Sequence, residues 1–143
     1  MNYKHFLDLA AESAKASTYT GPNNVKIGCV AVYHGTVLAK GYNSDKTHTH
    51  QDRYNYLRYD GGSSHYYPSK AHAETGVLNR IRYLDIDFSK VTLFIYRGYK
   101  NGAPALARPC ASCEKSIRDL RIGKVVYTTD EGYAIEKFIY DKE

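Results

Sequence analysis

The chain has 143 residues, of which 43% are hydrophobic and 24% are charged, and its formal net charge is +5. This length predicts one domain over residues 1–143, and the composition excludes a disordered chain. No apolar run reaches the roughly 18 residues of a membrane-spanning helix, and residues 2–16 have an amphipathic pattern instead of a signal-peptide core. We therefore expect a soluble, cytoplasmic protein without a membrane partner. The modest positive charge favours anionic partners such as nucleotides or nucleic acid.

The first part of the chain predicts a helix followed by a β-hairpin. In chain order, the predicted elements are a helix over 2–16, a loop over 20–24 and strands over 25–33 and 36–42. Asn2 can cap the helix, since asparagine is a common N-cap residue. His34 and Gly35, between the two strands, are typical of a tight hairpin turn, because glycine adopts positive φ without strain.

The stretch from Ser44 to Pro68 is long for a loop, and long loops in compact domains are usually functional or disordered. It interleaves cationic side chains with tyrosines, and Gly61-Gly62-Ser63-Ser64 is a flexible hinge within it. One interpretation is a lid that offers cations to a phosphate and aromatic rings to a base. The other is a solvated insertion whose aromatic residues pack on the domain. The sequence supports the two equally.

The second part of the chain alternates helices and strands. The predicted elements are a helix over 70–84, a turn over 85–90, a buried strand over 91–96, a loop over 99–107, a helix over 110–121 and a strand over 124–128. Ser69 is expected to cap the first of these helices, which places its start near Lys70. The apolar side of that helix comprises Val77, Leu78, Ile81 and Leu84. Pro109 is expected to open the second helix, and Gly123 to end it as the C′ residue.

The end of the chain predicts a second hairpin. Asp130-Glu131-Gly132 suits a three-residue link with a G1 bulge. A final helix has some support from the spacing of the apolar residues after Gly132. However, too few residues follow Gly132 for a helix and a further parallel strand, so we favour an antiparallel last strand over 133–140.

Two short stretches carry the candidate chemistry. His72-Ala73-Glu74 lies at the start of one predicted helix, and Pro109-Cys110-Ala111-Ser112-Cys113 at the start of the other. Together they offer one imidazole, two thiols and one carboxylate. One His and two Cys fill three of the four tetrahedral positions of zinc, and a catalytic zinc site leaves the fourth for water. A helix N-terminus also lowers thiol pKa, which favours the thiolates that zinc binds.

Each stretch alone has a simpler interpretation. His72 could be a core or helix-terminal histidine, and Glu74 a first-turn carboxylate that interacts with the helix dipole. The pair Cys110 and Cys113 could be a redox pair. The two stretches together, in this order, are more specific, so we favour a metal site. Cys29 lies in an apolar strand pattern and is expected to be a buried thiol, which argues against a disulfide framework.

The two stretches together resemble the zinc-dependent cytidine deaminase superfamily, which includes cytidine, deoxycytidylate and tRNA adenosine deaminases and the polynucleotide-editing enzymes. The resemblance runs from about Val25 to Thr128. Gly41-Tyr42-Asn43 resembles the Gly-aromatic-Asn segment of the deoxycytidylate and tRNA-type members, and Val125-Val126-Tyr127 resembles their strand after the Cys helix. The implied fold is α/β, a cytidine-deaminase-like three-layer sandwich with a central mixed sheet of about five strands and helices on both faces.

The resemblance also implies a site. The implied ligands of Zn2+ are His72, Cys110 and Cys113. Zinc would lower the pKa of a bound water. Glu74 would be the catalytic acid–base, which takes the water proton and passes it to the base and to the leaving ammonia. Asn43 would bond the base or the ribose, and the backbone of Ala73 would read the exocyclic group.

The leading functional hypothesis is hydrolytic deamination of cytosine to uracil in a small nucleotide or nucleoside of the deoxycytidylate type. The stretch 44–68 departs from the usual deoxycytidylate pattern, which leaves the phosphate contact open. The alternative is a cytosine deaminase acting on single-stranded DNA or RNA, for which the motivation is the basic, Tyr-rich segment 46–70 and the cations Lys115, Arg118, Arg121 and Lys124. A structural zinc module would need a fourth protein ligand, and Cys29 is the only spare thiol. Because related enzymes commonly assemble as dimers or larger, we expect a homo-oligomer.

Overall fold

The computed structural model describes residues 1–18, 25–44, 72–98 and 104–140. Within these residues the helices are α1 (Tyr3–Ala14), α2 (Ala73–Ile81), a short 3₁₀ helix (Phe88–Lys90) and α3 (Ala111–Leu120). The strands are β1 (Lys26–Tyr33), β2 (Thr36–Tyr42), β3 (Val91–Gly98), β4 (Pro104–Ala105), β5 (Lys124–Thr129) and β6 (Gly132–Lys137). The predicted loop over 20–24, the first part of the loop over 99–107 and, apart from Ser44, the stretch from Ser44 to Pro68 lie outside the described residues.

The strands form one mixed sheet in the order β2-β1-β3-β5-β6, with β4 paired to β3. β1 is antiparallel to both β2 and β3, whereas β3 and β5 are parallel. The two-residue β4 gives the sheet one strand more than the resemblance implied. β6 is antiparallel to β5, which confirms the predicted direction of the last strand.

Helices cover both faces of the sheet. The buried residues between α1 and the sheet are Phe6, Leu7, Ala10, Val30, Val32, Phe94 and Val126. On the opposite face the helical contribution to the core comes from Val77, Leu78, Ile81 and Ile117. Full burial of one such large apolar side chain stabilises the fold by about 1.5–3 kcal/mol. The predicted α/β three-layer sandwich is therefore confirmed. Among the described residues, no helix combines the length and the hydropathy that a membrane-spanning segment requires.

Gly41 sets the distance between α2 and the sheet. A Cβ atom at this position would lie 2.8 Å from Cγ2 of Val77 and 3.0 Å from the carbonyl oxygen of Ala73. Contacts this short force neighbouring atoms apart, so only glycine lets the first turn of α2 lie this close to β2. The first turn of α2 carries the His72-Ala73-Glu74 stretch, and its placement therefore depends on Gly41.

The boundaries of the two site helices differ from the prediction. His72 has an extended backbone (φ −91°, ψ 150°) and is the N-cap of α2, so the expected start near Lys70 is wrong. Ser69, the expected cap, lies outside the described residues. α2 also ends at Ile81, which leaves Leu84 beyond the helix and 43% exposed instead of on its apolar side. The backbone leaves the helix here, because the Leu84 N–H donates to the Ile81 carbonyl three residues back and not to the residue four back, although the apolar spacing continues.

The end of α3 also differs from the prediction. The residue in the left-handed conformation is Arg121 (φ 64°), and Gly123 is therefore not the C′ residue that was expected. Gly123 is needed for a different reason, because a Cβ there would collide with the backbone carbonyl of Ser89. Pro109 precedes the Cys110 N-cap, so α3 begins at Ala111, one residue later than predicted.

Both predicted hairpins are present, but the second has a shorter link than predicted. His34 and Gly35 both have positive φ, 50° and 79°, and join β1 to β2 as expected. In the C-terminal hairpin, Gly132 (φ 146°) pairs with Thr129 and belongs to β6, so the link has two residues and not three. The alternative of a final helix is wrong over the described residues, because 132–137 form a strand.

Candidate metal centre

The N-termini of α2 and α3 bring the predicted ligands together. His72 is the N-cap of α2, Cys110 is the N-cap of α3, and Cys113 lies in the first turn of α3. Neither His72 nor Cys110 caps its own helix with its side chain, and the two side chains contact each other instead. The chain reaches α3 from the sheet, where the N–H of Ala107 donates a hydrogen bond of 2.8 Å to the carbonyl of Thr128.

The three donor atoms have a spacing that suits one zinc ion. Nδ1 of His72 lies 3.1 Å from Sγ of Cys113 and 3.8 Å from Sγ of Cys110, and all three atoms lie within 4.8 Å of one another. Tetrahedral nitrogen and sulfur ligands of zinc lie about 3.6 Å apart, given Zn–N and Zn–S bonds of about 2.1 and 2.3 Å. The donor set therefore fits zinc. Among the described residues, no other His, Cys or carboxylate belongs to this group, which supplies three of the four ligands of a tetrahedral zinc ion.

The two thiols are not equivalent. A hydrogen bond from Cys113, together with contacts to His72 and Ser112, lowers the pKa of the Cys110 thiol to about 3, against the opposing effect of burial. The pKa of the Cys113 thiol is raised, because Cys113 donates that bond, is fully buried and lies near the Glu74 carboxylate. The pair therefore offers a thiolate at Cys110, which is the form of cysteine that binds metals.

Glu74 lies in the first turn of α2 and is only 6% exposed. Burial raises the pKa of its carboxyl above the ordinary value of 4.5, and the nearby His72 opposes this shift. The carboxyl also interacts with the Cys113 thiol, which places it beside the donor group without making it a member. A raised pKa makes the carboxylate a stronger proton acceptor than an ordinary exposed carboxylate, which suits general acid–base chemistry.

Cys29 does not complete the donor group. It is fully buried in β1, within the core on the α2 side of the sheet, as the sequence predicted. Burial and then the charge of Glu74 raise the pKa of its thiol, which keeps it protonated. All three cysteines are free. Cys29 therefore does not supply the fourth ligand that a closed structural zinc site would need.

Asn43 is held by the protein itself. Its Oδ1 accepts hydrogen bonds from the Ile27 backbone N–H (3.0 Å) and the Ser17 hydroxyl (2.6 Å), and its Nδ2 donates to the Val25 carbonyl (2.9 Å). Two bonds fill the acceptor capacity of an amide oxygen. Asn43 thus fastens the end of β2 to β1 and to the segment after α1. Its predicted contact with a base or ribose stays a prediction.

Ala73 is fully buried as the first residue of α2. At this position the helix itself provides no acceptor for the backbone N–H, so the group can face a ligand. Its predicted recognition of an exocyclic group likewise stays a prediction.

Sequence reasoning missed two sets of contacts around Cys110. The Ser112 hydroxyl lies 3.1 Å from Cys110 Sγ. Arg108 donates from Nε to Oε1 of Glu136 at 2.7 Å, and the Tyr127 hydroxyl donates to the same oxygen at 3.1 Å, which ties the segment before Cys110 to β5 and β6. The Ser112 contact had a sequence signal, a hydroxyl residue in the first turn of the Cys helix. The Arg108 contact had none, because Glu136 is 28 residues away.

Comparison with known proteins agrees with this geometry. The family model of the cytidine and deoxycytidylate deaminase zinc-binding region matches residues 1–129. The chain therefore belongs to this family, which confirms the predicted resemblance. The family consists of zinc-dependent hydrolytic deaminases, so the protein is a zinc-dependent deaminase, as predicted. A search of curated protein sequences finds no match.

Solved structures of deaminases share the fold. A cytidine deaminase from Burkholderia pseudomallei is 14% identical, with a TM-score of 0.65, and the match covers 96% of this chain and 93% of that chain. The dCMP deaminase from the cyanophage S-TIM5 is 19% identical, with a TM-score of 0.58 and coverage of 89% and 82%. The cytidine deaminase from Mycobacterium leprae is 14% identical, with a TM-score of 0.55 and coverage of 94% and 93%.

Proposed function

We propose that the chain converts cytosine to uracil in a small nucleotide or nucleoside, with deoxycytidylate as the first candidate. The observation that carries the proposal is the buried Glu74 carboxyl beside the three-donor group. The carboxyl interacts with His72, Cys110 and Cys113, so it could exchange protons with a water held beside them. The family, which joins cytidine and deoxycytidylate deaminases, supports a cytosine substrate.

In this proposal Nδ1 of His72 and the sulfurs of Cys110 and Cys113 would hold the zinc ion. When bound, zinc supplies Lewis-acid activation of a water molecule at neutral pH. The Glu74 carboxylate would accept one proton from the attacking water and deliver it to the ring nitrogen beside the amino group. It then passes the second proton to the departing amino group, so cytosine and water become uracil and ammonia. The burial of Glu74 keeps bulk water away from these transfers.

Deoxycytidylate is placed first because of a relative. A crystal structure of the cyanophage S-TIM5 dCMP deaminase in complex with dCMP and dUMP is 19% identical to this chain, with a TM-score of 0.53 and coverage of 88% and 79%. The bacterial cytidine deaminases support a nucleoside instead. The stretch that would supply phosphate contacts, 44–68, lies outside the described residues except for Ser44.

Two features motivated a polymeric substrate. The basic segment 46–70 lies outside the described residues, whereas the four cations between positions 115 and 124 have partners within the chain. Lys115 pairs with Asp119 at 2.7 Å, and Arg118 lies 4.0 Å from Glu114 and over the Phe138 ring. Arg121 lies over the Tyr140 ring, and Lys124 donates to the Tyr3 hydroxyl. Cations engaged in this way are less available to phosphates, which favours the small-molecule substrate over single-stranded DNA or RNA.

The test is a substrate screen with zinc-loaded protein. Deoxycytidylate, deoxycytidine, cytidine and an oligonucleotide with one cytosine are incubated separately, and ammonia release and the mass of the product are measured. The matched control is Glu74→Gln, which keeps the size of the side chain but cannot exchange protons. We expect turnover of deoxycytidylate or a nucleoside that Glu74→Gln abolishes.

Two results would count against the proposal. Absence of turnover of every small substrate by zinc-loaded protein would reject it. Salt-sensitive turnover of the oligonucleotide alone would replace it with the polymeric alternative.

A further inference from the structure

Ser112 has an unusual position for a hydroxyl. It lies between the two cysteines in the first turn of α3 and has no exposed surface. Its Oγ is 3.1 Å from Sγ of Cys110. Burying a hydroxyl is unfavourable unless it is hydrogen-bonded, and alanine would fit a buried helical position without that penalty. A serine at this buried position is therefore expected to make a specific hydrogen bond.

The direction of the hydrogen bond follows from the chemistry of the site. Zinc binds the thiolate form of cysteine, which has no proton to donate, so in the zinc-bound protein the hydrogen bond between these two groups would be donated by the Ser112 hydroxyl. The His72 ring offers neither sulfur a hydrogen bond through Nδ1, because that nitrogen, 3.1 Å from Cys113 Sγ and 3.8 Å from Cys110 Sγ, is itself assigned to the metal. Cys110 is only partly buried, and the Ser112 hydroxyl lies beside its sulfur.

We propose that Ser112 is a positioning residue of the zinc site, which donates a hydrogen bond to the Cys110 sulfur and thereby fixes its orientation and limits its electron donation to the metal. The proposal rests on the assignment of Cys110 as a zinc ligand in the proposed function. Groups that hydrogen-bond to metal ligands in this way typically change metal affinity or activity by about 10- to 100-fold when they are removed. Ser112 itself does not contact the metal or the substrate in this role.

The test compares Ser112→Ala, Ser112→Thr and Ser116→Ala with the wild-type chain. Ser116 is a suitable control because it is a serine one turn further along α3 and is also buried, at 3% exposure. Zinc affinity is measured by competition with a chromophoric chelator. The absorption spectrum of the cobalt(II)-substituted protein is recorded as a second readout, because its sulfur-to-metal charge-transfer band reports directly on the thiolates.

We expect Ser112→Ala to weaken zinc binding by about tenfold and to shift the charge-transfer band to lower energy, since a thiolate without its donor gives up an electron more easily. Ser112→Thr keeps the hydroxyl and should restore the band. Ser116→Ala should leave both readouts at the wild-type values. A general weakening of the helix would lower affinity without moving the band.

Three outcomes would overturn the proposal. The first is a Ser112→Ala protein with wild-type affinity and spectrum. The second is a Ser116→Ala protein with the same band shift as Ser112→Ala. In both of these cases, a separate measurement that shows loss of zinc in Cys110→Ala would still support Cys110 as a zinc ligand. The third is retention of zinc by Cys110→Ala, which would reject the ligand assignment and this proposal together.

Discussion

Nδ1 of His72 lies 3.1 Å from Sγ of Cys113, although 41 residues separate them in the chain. The contact exists because α2 and α3 begin at the same place in the fold, on the same face of the sheet. Each helix N-terminus carries about half a positive charge. Two N-termini at one place therefore favour anionic groups such as thiolates and a carboxylate. The metal binding and the chemistry of the site both depend on this meeting of helix N-termini.

Replacing Cys113 should remove the metal. Cys113→Ala deletes one of three donors, so we expect zinc content to fall from one ion per chain to nearly none and activity to fall by more than about 100-fold. Zinc is measured by elemental analysis after gel filtration. The control is Cys29→Ala, which removes a thiol from the same core but outside the donor group. Zinc loss in Cys29→Ala, or full zinc in Cys113→Ala, would contradict the assignment.

Replacing Glu74 should separate chemistry from metal binding. Glu74→Gln removes the proton carrier and leaves the donor group intact, so zinc content should stay at one ion while the turnover rate falls by about 100- to 10,000-fold. The measurement is single-turnover ammonia release alongside elemental analysis. A loss of zinc in Glu74→Gln would mean that the carboxylate is a ligand, against its position outside the donor group.

Two glycines offer a matched test of the packing under α2. Gly41→Ala places a Cβ 2.8 Å from Val77 Cγ2, and we expect it to destabilise the fold by about 1–3 kcal/mol. Gly76 lies in α2, where an added Cβ would have no neighbouring atom within 4 Å, so Gly76→Ala should stabilise the fold by about 0.5–1 kcal/mol. Urea unfolding gives both values. Equal stability of the two variants would show that α2 does not pack on Gly41 as closely as described.

The ion pair of Arg108 and Glu136 should give a pH-dependent contribution to stability. The hydrogen bond from Arg108 lowers the pKa of the Glu136 carboxyl below the ordinary value of 4.5. The folded chain therefore binds a proton at Glu136 less readily than the unfolded chain does. The contribution is therefore present above pH 4.5 and is lost as the pH falls through the lower folded pKa. Because Arg108 is 54% exposed, the pair should contribute no more than about 1 kcal/mol.

The measurement is the free energy of unfolding of the wild type and of Glu136→Gln across this range of pH. The difference between them should be constant at neutral pH and shrink in acid. A difference that grows in acid would contradict the assigned direction of the pKa shift.

Much of this fold could be predicted because its signals are local. Apolar periodicity indicates the three α-helices of the described residues and the β1–β2 hairpin, and the spacing of His72, Cys110 and Cys113 indicates the donor group. The predicted start of α2 is wrong for an equally physical reason. Serine and proline upstream favour a helix start near Lys70, whereas the backbone of His72 is still extended.

The contacts that sequence could not supply are those between distant residues. Asn43 lies in a segment that resembles the family, yet its side-chain oxygen accepts hydrogen bonds from Ser17 and Ile27. No periodicity in the sequence connects these two residues to Asn43. Glycine commonly ends a helix, which is why the sequence predicts that role for Gly123, but its real constraint is the backbone of Ser89. Such close approaches become visible only when the packing of elements is known.

The measurement that tests the central claim most directly is X-ray absorption at the zinc edge of the zinc-loaded protein. We predict two sulfur ligands at about 2.3 Å and two nitrogen or oxygen ligands at about 2.0–2.1 Å, which is the pattern of His72, Cys110, Cys113 and one water. A zinc ion with four protein ligands, or a spectrum with no sulfur, would contradict the account.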